Sequence, residues 1–163
     1  MIGTKDKDAL RAFIGAMHVI GKNLSREIAA QLDLSTYTLM LDIGGGPGTY
    51  TIALLEENPR LQAVIFDFPV ILALARERIS GSAYAGRVCF TQGDFYKDEL
   101  PGGCDLALLS AIIHQNSPKE NIDLFKKIYR ALEPGGCLII RDHIMDESRI
   151  NPPAGTFFAI TML

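Results

Sequence analysis

The chain has 163 residues, 48% of them hydrophobic, and 16 Lys and Arg stand against 19 Asp and Glu for a formal net charge of −3. That length suits one core domain, and a mildly acidic chain without a long basic run lacks the electrostatic footprint of a protein that grips nucleic acid or anionic lipid. No apolar stretch approaches the roughly 18 residues of a membrane span, and the opening MIGTKDKDAL lacks the apolar segment of a secretion signal, so a soluble, cytoplasmic protein is expected.

Cys89, Cys104 and Cys137 are widely spaced, odd in number and set in or beside apolar runs, which reads as reduced structural thiols rather than a disulfide framework or a CxxC metal site. The mean hydropathy of +0.16 is high for a soluble domain and suggests that something outside this chain covers part of its apolar surface.

In chain order, the first element is a long amphipathic helix within residues 8–32, where Leu10, Phe13, Ile14, Met17, Ile20, Leu24, Ile28 and Leu32 recur at helical spacing. Residues 1–35 are accordingly read as a linking helix and residues 36–163 as the core. Five short apolar runs bounded by Gly, Pro or Asp predict strands: Thr38 to Ile43, Ala63 to Phe68, Val88 to Thr91, Asp105 to Ser110, and Cys137 to Arg141. Helical patterns over Tyr50 to Glu57, Val70 to Ile79 and Pro118 to Leu132 lie between them, and the link from Thr91 to Asp105 is less regular. The last helix has the strongest start, with Ser117 as N-cap, Pro118 at the first helical position and Glu120 completing a capping box. Near-continuous apolar strands alternating with helices predict an α/β fold with a doubly wound, Rossmann-like sheet of five mainly parallel strands.

In such a sheet, ligands bind outside the carboxyl ends of the strands. The unusual residues obey that rule: Gly44, Gly45, Gly46 and Gly48 follow the first strand, Asp67 ends the second, Gly93 and Asp94 follow the third, His114 the fourth and Asp142 the fifth. A tight turn alone would explain an isolated glycine pair, but the run Asp42-Ile-Gly-Gly-Gly-Pro-Gly48 has more glycine than turning requires and points to close approach of backbone to a ligand. A dinucleotide fingerprint wants G-x-G-x-x-G. Here the spacing is G-x-G-x-G with Pro47 intervening, and Asp42 at the strand end repels phosphate and attracts a cation, so a positively charged nucleoside is favoured over a nicotinamide dinucleotide. Asp67, 23 positions after Gly44, is placed to accept hydrogen bonds from both ribose hydroxyls.

Taken in order, LMLDIGGGPGTY, VIFDFPVIL, GDFYKDELP, LLSAIIHQNSP and LEPGGCLIIRDHIMDE resemble the class I S-adenosylmethionine-dependent methyltransferases, specifically the small-molecule O-methyltransferases related to caffeate, hydroxyindole and polyketide-tailoring enzymes. The likeness runs from Phe13 onward, and five ordered motifs are far more specific than one. It implies S-adenosyl-L-methionine as cofactor, with Gly44 and Gly46 on its methionine part, Asp67 on its ribose, and Asp94 and Phe95 flanking its adenine, beside Asp42, read above as cofactor-binding from its charge. It further implies His114 as general base, Asp142 as the carboxylate orienting that imidazole, and Phe13, Met17, Phe158 and Met162 as acceptor-pocket residues. The implied reaction moves a methyl group to a hydroxyl of a small aromatic acceptor and requires no metal. A phenol of pKa about 10 is a poor nucleophile at neutral pH, and an imidazole of pKa about 6.5 can take its proton as attack proceeds.

The chain also departs from the family. Members are much longer, with a helical dimerisation domain before this region and an antiparallel strand pair after it, so this chain resembles one truncated at both ends. The frequent Asp-Trp after the base is Gln115-Asn116, and a lysine often found four residues before it is Ser110. Without the final strand pair, Cys137 to Arg141 becomes an apolar edge that seeks a partner. A dimer or other homo-oligomer, or pairing with a companion chain, is therefore expected. The alternative to an enzyme is a non-catalytic cofactor-binding or assembly module that needs a partner chain for activity.

Overall fold

The computed structural model describes residues 7–161, which leaves Met162 outside the described residues. Helix α1 (Lys7–Ala29) is followed by β1 (Leu39–Ile43), α2 (Thr49–Glu57), β2 (Gln62–Asp67), α3 (Pro69–Ser80), β3 (Val88–Gln92), β4 (Cys104–Ser110), α4 (Pro118–Ala131), β5 (Leu132–Arg141) and α5 (Pro153–Thr161). The strands form one sheet in the order β3-β2-β1-β4-β5, and every pair is parallel. Strand order reverses at β1, so the carboxyl ends of β1 and β4 flank the crevice where a doubly wound sheet binds ligands.

The two faces of the sheet are covered by separate clusters. Met40, Ile65, Leu106 and Leu108 pack with Leu54, Leu55, Leu72 and Ile79 of α2 and α3, while Leu41, Ile43, Phe66, Ala107 and Leu109 pack with Leu124 and Ile128 of α4. The alternation of odd and even residues between the clusters follows the period-two geometry of strands. Asp105 anchors the amino end of β1: its carboxylate accepts from the Thr38 and Leu39 amides at 2.8 and 2.9 Å and from the Thr38 hydroxyl at 2.8 Å. Arg87 likewise donates to the Leu55, Asn58, Pro59 and Leu61 carbonyls, holding the carboxyl end of α2.

The expected elements are present, and two boundaries differ by more than one residue. Helix α1 ends at Ala29 instead of running to Leu32. Strand β5 starts at Leu132, five residues before the expected Cys137, so that Leu132 pairs with Cys104 before a register shift leads to Leu106 opposite Cys137. A Cβ on Gly136 would lie 2.9 Å from the Glu133 carbonyl and 3.1 Å from that of Asp105, so the glycine that reads as turn in the sequence is what lets this irregular strand pack backbone on backbone. The capping box at α4 forms as expected: the Glu120 amide donates to the Ser117 side chain, and the Glu120 carboxylate accepts from the Ser117 amide.

Strand β4 is almost wholly buried, whereas its neighbour β5 is a half-exposed edge with Ile140 44% exposed. The outer side of α1 is also apolar and exposed, through Phe13, Met17, Val19, Ile20 and Leu24. Among the described residues no helix is long and apolar enough to cross a membrane.

Candidate functional site

The loop after β1 is built by glycines. Gly44, Gly46 and Gly48 all have positive φ, between 54° and 69°. At Gly44 a Cβ would press on Ile112 at 2.9 Å and on Phe95 at 3.3 Å, so only glycine allows the loops after β3 and β4 to close on it. At Gly46 a Cβ would meet nothing within 4 Å, so that part of the loop faces open space. Its amide is aimed at the neighbouring strand, donating to Asp67 Oδ2 at 2.9 Å, while Asp67 Oδ1 accepts from the Phe68 amide at 2.7 Å. Burial raises the Asp67 pKa above its ordinary value, and these two amides pull against that rise. The carboxylate is thus held rigidly beside the open part of the loop with lone pairs left for hydroxyl donors.

Asp42 lies beneath the loop, 2% exposed, and accepts from the Thr51 hydroxyl at 2.5 Å. Burial pushes its carboxyl up to about 7, with Thr51 opposing and the Asp67 charge adding to the rise. Phe95 is buried beside Tyr96, ring centroids 4.4 Å apart. Asp94 spends its carboxylate on the same turn, accepting from the Tyr96 amide at 2.9 Å and pairing with Lys97 at 3.2 Å. Gly44, Phe95 and Ile112 therefore meet in one place, with Asp67 on the strand beside them.

The second half of the rim is centred on His114. The chain leaves β4 through Ala111, a non-glycine residue at φ 57° whose amide donates to the Arg141 carbonyl at 2.8 Å. A residue held in that sparsely populated region costs on the order of 1 kcal/mol, and it turns the chain into the short helical segment carrying His114. His114 Nδ1 lies 2.7 Å from Asp142 Oδ1, and its amide donates to Asp142 Oδ2 at 3.3 Å. Asp142 Oδ1 also accepts from the His143 amide at 2.7 Å. Burial alone raises the Asp142 pKa, but the His143 amide, the His114 ring and the His114 amide outweigh it and leave it below the ordinary value. An ionised carboxylate at Nδ1 keeps the proton there and leaves Nε2 as the basic nitrogen.

Phe158 closes this side. Its ring meets His114 edge-on at 4.9 Å and stacks on His143 at 3.8 Å. The sequence assigned nothing to His143, although its place directly after Asp142 put it at the rim. His18 was also unassigned. Its Nε2 lies 3.4 Å from Arg78, which donates to the Pro47 carbonyl at 2.7 Å, and its Nδ1 lies 3.0 Å from the Thr49 hydroxyl. These contacts tie α1 and α3 to the glycine loop. Phe13 and Met17 sit on the exposed side of α1, away from any described partner ring, and Met17 is one turn from Gly21, which receives the Tyr50 ring.

Known proteins share this outline. The model of a family described as an O-methyltransferase domain matches residues 2–163. The 3-hydroxy-5-methyl-1-naphthoate 3-O-methyltransferase of Streptomyces sahachiroi is 34% identical over 139 residues, 85% of this chain and 40% of that protein. The tetracenomycin polyketide synthesis 8-O-methyl transferase of Streptomyces glaucescens is 29% identical over 99% of this chain and 47% of its own length. Among solved structures, human N-acetylserotonin methyltransferase in complex with S-adenosylmethionine superposes with a TM-score of 0.86 at 26% identity, over 97% of this chain and 45% of that one. The chain thus spans less than half the length of these relatives.

Proposed function

The chain belongs to the O-methyltransferase domain family, and from that premise we propose that it forms the S-adenosylmethionine-binding and base-bearing part of an enzyme that methylates a hydroxyl on a small aromatic acceptor. The observation that carries this reading is the 2.7 Å contact between His114 Nδ1 and Asp142, next to the glycine loop. The two bacterial relatives, a naphthoate 3-O-methyltransferase and a polyketide 8-O-methyl transferase, support an aromatic or polyketide hydroxyl as acceptor.

The residues fit the cofactor. The open space over Gly46, the rigid Asp67 carboxylate beside it and the buried Phe95 ring suit a nucleoside, and the buried Asp42 suits a positive charge. When bound, S-adenosylmethionine supplies an electrophilic sulfonium methyl. Asp67 accepts from the ribose hydroxyls, Gly44 and Gly46 admit the methionine part, and Phe95 with Asp94 borders the adenine. His114 Nε2 takes the acceptor's hydroxyl proton, and Asp142 stabilises the resulting imidazolium through Nδ1. Phe158 borders the imidazole edge-on and, with Phe13 and Met17 of the α1 surface, offers apolar contact to the acceptor ring. The same reading includes a linking role for residues 1–35 ahead of the core at 36–163.

The half-exposed β5 edge and the bare apolar side of α1 support a further part of the proposal: these surfaces are covered by a second copy of the chain or by a companion polypeptide. A monodisperse monomer in sedimentation at tens of micromolar would count against it.

Methyl transfer to a panel of phenols tests the main reading. His114→Ala should lower turnover by about 10²–10⁴-fold, with S-adenosylhomocysteine affinity unchanged by calorimetry. Turnover equal to the wild type would remove His114 from the reaction. An NADH titration that saturated would sink the cofactor assignment.

A further inference from the structure

Among the described residues, two donors at the carboxyl end of the sheet lack a well-formed hydrogen bond, and they lie against each other. Cys137 and Ile139 of β5 pack with the cluster under α2, as do Leu106 and Leu108 of β4. Strand alternation therefore puts Arg141 and Ser110 on that face too, and the two are register partners. Tyr50, in the first turn of α2, brings its ring beneath the Arg141 guanidinium, 5.5 Å from ring centroid to Cζ. Its hydroxyl oxygen is buried and makes no hydrogen bond of good geometry among the described residues, with Ser110 as its polar neighbour. The guanidinium also makes no hydrogen bond or ion pair among the described residues. Native structures rarely leave a buried hydroxyl unsatisfied, and a guanidinium offers five donors in a planar fork that matches a carboxylate.

Position identifies the anion. Asp67 ends β2, and Arg141 ends β5, three strand spacings or about 14 Å across the sheet, with the glycine loop between them. A nucleoside whose ribose is on Asp67 and whose amino-acid arm crosses Gly44 and Gly46 points that arm toward β4 and β5. The Arg141 guanidinium lies over Tyr50, in the first turn of the helix that follows the loop. Asp42 shares this face of the sheet, buried beneath the loop. One cation beside that buried acid suits a single carboxylate better than a phosphate group.

We propose that Arg141 and Tyr50 clamp the carboxylate of the cofactor's amino-acid arm, with the Ser110 hydroxyl as a third donor. The inference rests on the S-adenosylmethionine reading above. It also gives a physical account of the serine that replaces a frequent lysine: the cation at this end of the site comes from the neighbouring strand.

Calorimetric titration of the whole 163-residue chain tests the clamp, using S-adenosylhomocysteine and its decarboxylated analogue as the two probes. Arg141→Gln should weaken S-adenosylhomocysteine by about 10- to 100-fold and Tyr50→Phe by about tenfold, the range for hydrogen bonds to a charged group. Both variants should bind the decarboxylated analogue as the wild type does, and Tyr50→Phe should melt as wild type does without ligand, since its hydroxyl makes no hydrogen bond of good geometry among the described residues. Equal weakening of both probes in Arg141→Gln would make the arginine a pin for Tyr50 and overturn the clamp. So would unchanged affinity for S-adenosylhomocysteine in both variants. A folded wild type that binds neither probe would instead take down the cofactor reading on which the clamp depends.

Discussion

The carboxyl ends of β1, β2 and β3 and those of β4 and β5 belong to one rim, yet they are finished to different degrees. On the first side Asp67 accepts two amides, Asp42 holds Thr51, Asp94 is tied to Tyr96 and Lys97, and β1 and β2 beneath are largely buried. On the second, the His114–Asp142 pair is complete, but among the described residues the Tyr50 hydroxyl makes no hydrogen bond of good geometry, the Arg141 guanidinium has only the Tyr50 ring, and Ile140 faces outward from an open edge. The self-contained side is the one read as binding the nucleoside, a ligand that does not vary. The incomplete side is the one read as meeting the amino-acid arm, the acceptor and other polypeptide. Polar groups with no internal partner mark where this fold expects something else.

The largest expected effect comes from breaking the finished side at its most costly group. Asp42 is held at a pKa of about 7 by burial, far above the roughly 3.9 of an unfolded chain. A raised carboxyl pKa means that the folded state binds the proton more readily, so the free protein loses stability as pH rises from about 4 through 7, and the penalty is complete above that window. Asp42→Asn keeps a partner for Thr51 and removes the charge. It should raise the stability of the ligand-free protein at pH about 8 by about 1–2 kcal/mol, several degrees in melting temperature, and flatten the dependence over that window. The same variant should bind a cationic cofactor more weakly. A melting curve at pH about 8 that matched the wild type would show that Asp42 carries no buried charge.

A second, smaller effect would sharpen the contrast on the open side. Natural edge strands are blunted by lysine. Ile140→Lys should weaken self-association by about tenfold, roughly 1.4 kcal/mol, without changing S-adenosylhomocysteine affinity. Sedimentation profiles identical to those of the wild type at matched concentrations would show that the β5 edge is not the contact.

The same division governs how far the sequence could be read. Asp42 and Asp67 lie at the ends of apolar runs, the glycines and His114 follow them, and the rule that ligands gather at carboxyl ends of parallel strands put them on one rim without coordinates. The early start of β5 was illegible because Pro134, Gly135 and Gly136 carry turn chemistry that the pairing of Leu132 with Cys104 overrides. The Tyr50–Arg141 contact was illegible for a different reason. It depends on the β4–β5 register and on the way α2 crosses the sheet, neither of which a spacing encodes, although an arginine closing the run CLIIR was a visible anomaly. Arg78 and His18 are helical residues whose meeting across Pro47 is purely tertiary.

That last cluster gives the finest test, since it links α1 to the finished side. Arg78 can only donate, so its contact requires the lone pair of His18 Nε2 and leaves the proton on Nδ1, toward Thr49. Burial, followed by the charges of Arg78, Lys22 and Arg26, lowers the His18 pKa. A lowered histidine pKa means that the unfolded chain binds the proton more readily, so the contribution of His18 is intact above about 6.5 and is lost as pH falls below it. This trend opposes that of Asp42, and subtraction separates them. The difference in stability between wild type and His18→Gln should be constant above pH about 7 and should move in the variant's favour by pH about 5.5, by about 0.5 kcal/mol or less because the ring is substantially solvated. Cofactor affinity should follow the same pH course, because the protonated imidazolium repels Arg78 and frees Pro47 at the loop that must hold its shape over Gly46. A difference that stays flat down to pH about 5.5 would mean that the loop is held without His18, and that the first side of the rim depends on nothing outside the sheet and its own two helices.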